Sequence, residues 1–308
     1  MRSSEGGLTL TRAGHPLPVA SGGQGGQCIG TETTTGAMLQ PRDFHHCVII
    51  MAHPDDEILW ASSILATAKK VILCYGDTAD AAVSRGRAAL LRDFPLTSVI
   101  GLNIRESRSF LTTNWGRPIE TAYGIQCGRD RDGYQRNFEL ARAAIAEHIA
   151  EGDLVVTHNP WGEYGHEEHV QVYRAVAVLK KERDFRLVVT GYASDRVLSF
   201  MEMNTPRLGG SITLPTNKSL ALSLKQHYQK HDSWTWDDGY VWPDQELFYE
   251  ITAEDAPLRP VRGTMASLPM NMLLIDGHLP LWRRVLRRFK RTLLVALDRV
   301  IRLQRGKR

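Results

Sequence analysis

The sequence has few cysteines, with only Cys28, Cys47, Cys74 and Cys127 among 308 residues. Their spacing matches neither a disulfide framework nor a Cys-x-x-Cys metal motif, which argues against a disulfide scaffold and a cysteine-based structural zinc site. Cys47 and Cys74 lie in apolar runs, and we expect reduced, buried or incidental thiols. A chain of this length and apolar fraction can bury a sizeable core without disulfides.

The chain also lacks an apolar run at its N-terminus that is long enough for a secretory signal. Residues 1–37 are instead rich in Gly, Ser and Thr, which favours a cytoplasmic protein with a disordered segment over residues 1–40. Met38 shortly precedes the first strand-like run, so we hypothesise that translation starts there. That run is not followed by Gly-x-Gly-x-x-Gly, which disfavours a dinucleotide cofactor.

Short apolar runs alternate with segments of helical periodicity along the middle of the chain. The predicted strands are 47–51, 70–75, 98–102, 153–157 and 186–192, and the predicted helices are 55–67, 79–94, 134–150 and 166–182. This alternation predicts an α/β fold, a Rossmann-like three-layer α/β/α arrangement with a mostly parallel sheet. The polar, irregular stretch 105–133 is either a lid near the active face or plain surface.

Ionisable residues follow the first predicted strand. Residues 52–57 read Ala-His-Pro-Asp-Asp-Glu, which puts His53, Asp55 and Asp56 beyond the carboxyl end of that strand, where open parallel sheets bind ligands. Pro54 suits the first turn of a helix, and acids there also favour the helix dipole, so simple capping is an alternative explanation. An imidazole beside three carboxylates nevertheless has the outline of a metal site.

A second predicted strand, 153–157, also leads into histidines. The stretch 158–169 ends in His166-Glu-Glu-His169, and apolar spacing from His166 onward predicts a helix on which both histidines share one face. One histidine could bind a metal while the other stays free. Two histidines three apart are commonly incidental, but two strand ends that both carry histidine strengthen the metal interpretation.

The motifs at 52–57 and 164–169 resemble those of the zinc-dependent deacetylases of the LmbE-like family. This family includes the N-acetylglucosaminyl-phosphatidylinositol deacetylases and the mycothiol-pathway deacetylase. The resemblance extends over residues 42–252 as an order of elements, and Lys218 with 227–229 looks like the family's late helix. Arg85 is expected to contact substrate, although the acidic residue expected two positions later is absent.

The resemblance implies that His53, Asp56 and His169 bind Zn²⁺. Two imidazoles and one carboxylate leave a position open to water, and such ligands also accept other divalent transition metals. Zinc would lower the pKa of its water to about neutrality, and Asp55 would accept the proton. His166 and Tyr164 would stabilise the developing negative charge on the carbonyl oxygen, while Asp55 or a protonated His166 would protonate the leaving amine.

The implied reaction is metal-dependent hydrolysis of an N-acetyl group from an N-acetylated amino sugar or glycoconjugate. Alternatives are an amidase that releases a different acyl group and a non-catalytic, membrane-associated sugar-binding protein. The presence of every implied ligand and of the base argues against the binding protein. Candidate sugar-binding residues, chosen because aromatic faces and carboxylates suit a sugar ring, are Trp234, Trp236, Asp237 and Asp238. Trp242 is better interpreted as part of the core.

The C-terminal stretch 281–308 carries the basic character of the chain. It contains eleven Lys or Arg residues and the single acid Asp298, so its removal would change the formal net charge from +4 to −6. Its apolar residues recur at helical spacing, which predicts a basic amphipathic helix suited to an anionic membrane surface and too charged to span a bilayer. Docking on the catalytic domain or on a partner are alternatives, and nucleic acid is disfavoured.

The chain is therefore divided into four predicted parts. These are a disordered segment (1–40), an LmbE-like deacetylase domain (41–255), a linker or domain-packing segment (256–280) and the basic helix (281–308). The expected location is cytoplasmic or peripheral on the cytoplasmic membrane face, where the substrate could be lipid-linked. The identity of the sugar and the oligomeric state are not implied.

Overall fold

The computed structural model describes residues 38–259 and 267–275. The predictions for residues 1–37 and for the basic helix 281–308 therefore lie outside the described residues. Within the described ranges, no helix combines the length and the apolar character needed to cross a membrane. Cys47, Cys74 and Cys127 are buried free thiols, as expected.

The fold alternates strands and helices. The strands are β1 (Val48–Met51), β2 (Lys70–Leu73), β3 (Val99–Gly101), β4 (Glu120–Thr121), β5 (Gly124–Ile125), β6 (Leu154–Thr157), β7 (Arg186–Thr190), β8 (Tyr192–Ser194), β9 (Leu208–Pro215), β10 (Gln245–Ile251) and β11 (Asn271–Leu273). The helices are α1 (Asp56–Trp60), α2 (Ser62–Leu65), α3 (Ala81–Arg92), α4 (Arg131–Ala146), α5 (Glu167–Glu182), α6 (Leu198–Asn204) and α7 (Lys218–Lys230). Short 3₁₀ helices lie at Pro41–Phe44, Asp195–Val197 and Thr205–Arg207.

The main sheet has seven strands in the order β3-β2-β1-β6-β7-β10-β9. The first five run parallel, whereas β10 is antiparallel to both β7 and β9. In β1, Ile49 and Met51 face one apolar cluster, and Val48 and Ile50 face another. Helices cover both sides, with α1, α2 and α7 over the first cluster and α4 and α5 over the second. The predicted three-layer α/β/α fold with a mostly parallel sheet is confirmed.

The helix predicted over 55–67 is divided by Ala61, which has a φ of −144° and a ψ of 25°. The carboxylate of Glu246 explains the break. It accepts hydrogen bonds from the Ser62 N–H (3.1 Å), the Ser62 hydroxyl (2.6 Å) and the Ser63 N–H (2.8 Å). A carboxylate supplied by β10 thus satisfies donors that would otherwise be unpaired at the start of α2.

The strand predicted over 186–192 is also divided, at Gly191. A Cβ added to Gly191 would lie 2.8 Å from the carbonyl oxygen of Leu247, so the residue must be small for β10 to pass. After it, β8 leaves the main sheet and pairs in parallel with β11. The described part of the predicted linker therefore packs, through β11, on β8.

Candidate active site

The two histidine-bearing segments meet because β1 and β6 are neighbouring parallel strands. His53 follows β1, and Asp56 is the first residue of α1. After β6, the chain passes through a compact turn to His166, the N-cap of α5, and His169 lies in the first helical turn. All four side chains are buried. The structure thus brings the sequence-predicted ligands together at the carboxyl edge of the sheet.

Asp56 lies at the centre of this cluster. Its Oδ2 is 3.1 Å from His53 Nδ1 and 3.3 Å from His169 Nε2. Ligand atoms bound at about 2.0–2.1 Å in a tetrahedron are separated by about 3.3 Å, so both distances suit a shared metal ion. The indole N–H of Trp60 donates to Asp56 Oδ1 at 2.9 Å, and the backbone N–H of His53 donates to Asp56 Oδ2 at 2.7 Å. These two bonds fix the orientation of the carboxylate.

His169 provides the clearest test of whether a metal fits. Its Nδ1 lies 2.7 Å from Oε2 of Glu163, an acceptor, so Nδ1 carries the proton and the neutral ring has its lone pair on Nε2. That Nε2 is buried and has no hydrogen-bond partner in the described structure. A lone pair that faces the Asp56 carboxylate is unfavourable unless a cation lies between them. The donor set therefore fits a divalent metal.

Two overlapping sets of three side chains could hold an ion: His53, His166 and His169, or Asp56, His158 and His169. The two nitrogens of His158 are both occupied, since Nε2 accepts the Ala52 N–H at 2.8 Å and Nδ1 lies 3.1 Å from Glu163 Oε2. This leaves His158 without a free lone pair. Ligation by His53, Asp56 and His169 draws on both sets, and these hydrogen bonds favour it.

Each candidate histidine ligand has a carboxylate behind it. Glu163 contacts His169, and Glu168 Oε2 lies 2.9 Å from His53 Nε2. Burial alone would raise the pKa of the Glu163 carboxyl. The His158 and His169 imidazoles nevertheless lower this pKa to about 2. Such carboxylates fix the tautomer and the orientation of metal-binding imidazoles. The sequence interpretation assigned no role to Glu163, Glu168 or His158.

Asp55 is held in an unusual conformation beside the cluster. Its φ of 106° lies in a region that residues with a Cβ rarely adopt, which is a sign of functional strain. Thr235 donates to Asp55 Oδ2 through both its N–H (3.1 Å) and its hydroxyl (2.6 Å). The Asp55 N–H donates to Glu57 Oε2 at 3.1 Å, and the Tyr228 hydroxyl donates to Glu57 Oε1 at 2.6 Å. Burial and the Asp56 carboxylate raise the pKa of Asp55 to about 6.

His166 and Tyr164 are also next to the candidate ligands. His166 Nδ1 accepts the Glu168 N–H at 3.2 Å, so the neutral ring carries its proton on Nε2, which is then a hydrogen-bond donor. Its ring is stacked between His169 (centroids 4.5 Å apart) and the half-exposed Phe110 (4.4 Å). The Tyr164 ring packs edge-on to His166 and His169.

The irregular stretch 105–133 is attached to the start of α5. Glu167 accepts the N–H groups of Leu111 (3.0 Å), Thr112 (2.9 Å) and Thr113 (2.8 Å). These bonds place Phe110 over the His166 ring. The stretch therefore forms a wall of the candidate site.

Two arginines of α3, Arg85 and Arg87, differ in their environment. Arg85 is exposed on α3, and its expected role in substrate binding stays a prediction. Arg87 is buried, donates to Glu106 Oε1 at 2.6 Å and places positive charge near Asp55 and Asp56. Glu106 in turn lies 3.9 Å from His53 Nε2. The two-residue offset follows from the rotation of side chains around a helix.

A cavity of about 910 Å³ adjoins Asp55 through Thr235, which lines it. Trp236 and Asp237 also line this cavity, together with a mainly apolar wall from Met270 to Ile275. Trp234 instead packs under the Lys225 ammonium group, 5.0 Å from its ring, and Asp238 accepts from Gln229 at 3.0 Å. The four sugar-binding candidates thus divide into two groups. Trp242 is buried and donates to the Ile58 carbonyl at 2.6 Å, which confirms its interpretation as core.

Comparison with known proteins agrees with this geometry. Residues 48–180 match the family model described as PIG-L, GlcNAc-PI de-N-acetylase. The match runs from the first residue of β1 into α5 and so contains both histidine-bearing motifs. The search of curated proteins found no match. The resemblance seen in the two sequence motifs is confirmed.

Proposed function

We propose, because residues 48–180 carry a PIG-L domain, that the chain is a metal-dependent deacetylase that hydrolyses an N-acetylated amino sugar or glycoconjugate to a free amine and acetate. The observation that carries the proposal is the convergence of His53, Asp56 and the unpartnered Nε2 of His169 next to Asp55. A structural metal site is closed by its ligands and does not require a strained carboxylate next to them, whereas a catalytic site needs a base there.

His53, Asp56 and His169 would hold the metal, and Zn²⁺ suits their nitrogen and oxygen donors. When bound there, the ion would supply Lewis-acid activation of water and of the acetyl carbonyl. Other divalent transition metals accept the same ligands. The carboxylates of Glu163 and Glu168 would keep the lone pairs of His169 and His53 directed at the ion.

Asp55 is the proposed general base. Thr235 occupies its Oδ2, and no described donor is hydrogen-bonded to Oδ1, so Oδ1 is the oxygen that would take the proton from the attacking water. His166 would donate from Nε2 to the oxygen that gains negative charge, because its Nδ1 is already an acceptor. Tyr164, packed against His166, would support this charge stabilisation. Asp55 or His166 would then return a proton to the leaving amine.

The cavity beside Thr235 would bind the part of the substrate that is not the acetyl group. Trp236 offers an aromatic face and Asp237 a carboxylate, which suit a sugar ring. The apolar wall from Met270 to Ile275 favours an apolar carrier or, as a second candidate function, an amidase that releases a longer acyl group. Association with a membrane through 281–308 and a lipid-linked substrate stay predictions.

The proposed function is tested by acid release from a panel of N-acetylated amino sugars, lipid-linked glycans and N-acyl analogues of increasing chain length. We expect acetate release that stops after metal chelation and returns when Zn²⁺ is restored. Release of a longer acid in preference to acetate would support the amidase instead. Absence of release from every substrate at full metal loading would contradict both enzymes and favour a binding role.

Thr235 is predicted to be a positioning residue for Asp55. Replacing it with Val removes one of two hydrogen bonds to a charged group, worth roughly 1.5–3 kcal/mol, so we expect kcat to fall by about 10–100-fold. KM should change much less, since the lost contact positions the base. Thr235→Ser restores the hydroxyl and should recover most of the activity. Equal loss in the Val and Ser variants would instead indicate that Thr235 only packs the cavity wall.

A further inference from the structure

A second cluster of potential metal ligands lies away from the active site, where the C-terminal ends of α3 and α7 meet. It consists of Asp93, His227 and His231, whose ligand atoms all lie within 4.8 Å of one another. Asp93 is the C-cap of α3 and His231 is the C-cap of α7. His227 and His231 are four residues apart, so their rings project from one side of the end of α7.

One ring nitrogen in each histidine of this cluster, Nε2, has no hydrogen-bond partner within the described structure. Nε2 of His227 and Nε2 of His231 are both buried, and His231 Nε2 lies 3.5 Å from Asp93 Oδ2, a distance longer than that of a typical hydrogen bond. Buried imidazole nitrogens normally have a partner. Two unpartnered nitrogens that converge on one carboxylate are the arrangement that a nitrogen-oxygen metal site presents.

The electrostatic environment also favours a cation. The C-terminal end of a helix carries a partial negative charge, and α3 and α7 both end at this cluster. A cation is already attracted there, since Lys230 Nζ lies 3.5 Å from Asp93 Oδ2. The Lys230 side chain is 67% exposed, so it can swing into solvent and yield its place to an ion.

We propose that Asp93, His227 and His231 form a second, exchangeable divalent metal site that clamps the end of α3 to the end of α7. The end of α7 also packs closely on the middle of α3, because a Cβ on Gly86 of α3 would come within 2.2 Å of the His231 carbonyl oxygen. Thr235, which donates a hydrogen bond to Asp55, is only four residues after His231 in the sequence. An ion at this site would therefore stabilise the turn that leads to Thr235, the residue that positions the proposed base.

The test is calorimetric titration of Zn²⁺ into full-length protein that already holds one equivalent of metal. We expect a further equivalent to bind and to raise Tm by about 2–4 °C at saturation. A His227→Gln, His231→Gln double variant should lose this second equivalent and keep the first, and Asp93→Asn should weaken it by about tenfold or more. The exposed His45 provides the matched control, so His45→Gln should bind as the wild type does.

Lys230→Ala distinguishes a metal site from a set of ordinary surface contacts. Removal of the competing ammonium group should tighten Zn²⁺ binding several-fold, whereas a purely structural ion pair with Asp93 would give no gain. A wild-type protein that takes up no second equivalent, or a double variant that binds it unchanged, would overturn the proposal. Should the double variant fail to fold by circular dichroism, Asp93→Asn and Lys230→Ala decide, because both side chains are exposed.

Discussion

Replacing Asp55 with Asn is expected to lower kcat by about 10²–10⁴-fold, the usual contribution of a general base. Asn has nearly the shape of Asp and can still accept hydrogen bonds from Thr235 through its amide oxygen. The amide cannot take a proton from water. Because Asp55 makes no hydrogen bond to His53, Asp56 or His169 in the described structure, the metal should remain bound. The measurement is steady-state acetate release together with metal content for the same preparation.

Asp244→Asn provides the matched control for this loss of a carboxylate. Asp244 is exposed and pairs with Lys218 at 2.6 Å, and no contact with the histidine cluster is found for it in the described structure, so its variant should keep wild-type kcat. An Asp55→Asn protein with full metal content and kcat within about threefold of the wild type would remove Asp55 from the role of base. His166 would then be the remaining candidate for proton transfer.

The parallel strands of the main sheet could be predicted from sequence because all of them except the edge strand β3 are largely buried. The run at 47–51 and β1 differ by a single residue, and four further predicted strands each contain an observed parallel strand. The two antiparallel strands, β9 and β10, lack such a continuous apolar run in the sequence. β9 contains Gly209 and Gly210 and ends in Pro215, residues that weaken a strand prediction but are tolerated at the sheet edge where β9 lies. β10 carries a buried Glu246 that interrupts its apolar pattern.

Within the site, contacts between residues close in sequence could be predicted, whereas contacts between residues far apart in sequence could not. His53, Asp55 and Asp56 are neighbours, so their proximity needs only a strand and a turn. Thr235 reaches Asp55 across 180 residues, and no local pattern indicates that pairing. Glu163 directly precedes the motif at 164–169 but contacts His169 only because its own φ of 51° turns the chain back on itself. Sequence periodicity cannot reveal a single left-handed residue of this kind.

Replacing Glu163 with Gln is expected to weaken metal binding by about 10–100-fold, the usual cost of losing a carboxylate behind a metal-binding histidine. Glu163 Oε2 faces Nδ1 of both His158 and His169, and Oε1 accepts from the Asn159 N–H and from the Thr190 hydroxyl. Every partner is a donor. The NH₂ group of Gln must therefore face a donor in either orientation, and the buried mismatch costs about 1–3 kcal/mol.

Glu167→Gln is the matched control, because Glu167 is also a buried carboxylate but binds the N–H groups of 111–113 instead of an imidazole. Zinc affinity, measured by competition with a chelator, should fall in the Glu163 variant and stay unchanged in the Glu167 variant. A similar decrease in both would indicate general damage to the start of α5. Wild-type affinity in a folded Glu163→Gln protein would show that His169 is oriented without a carboxylate, and the assignment of His169 as a ligand would lose its main support.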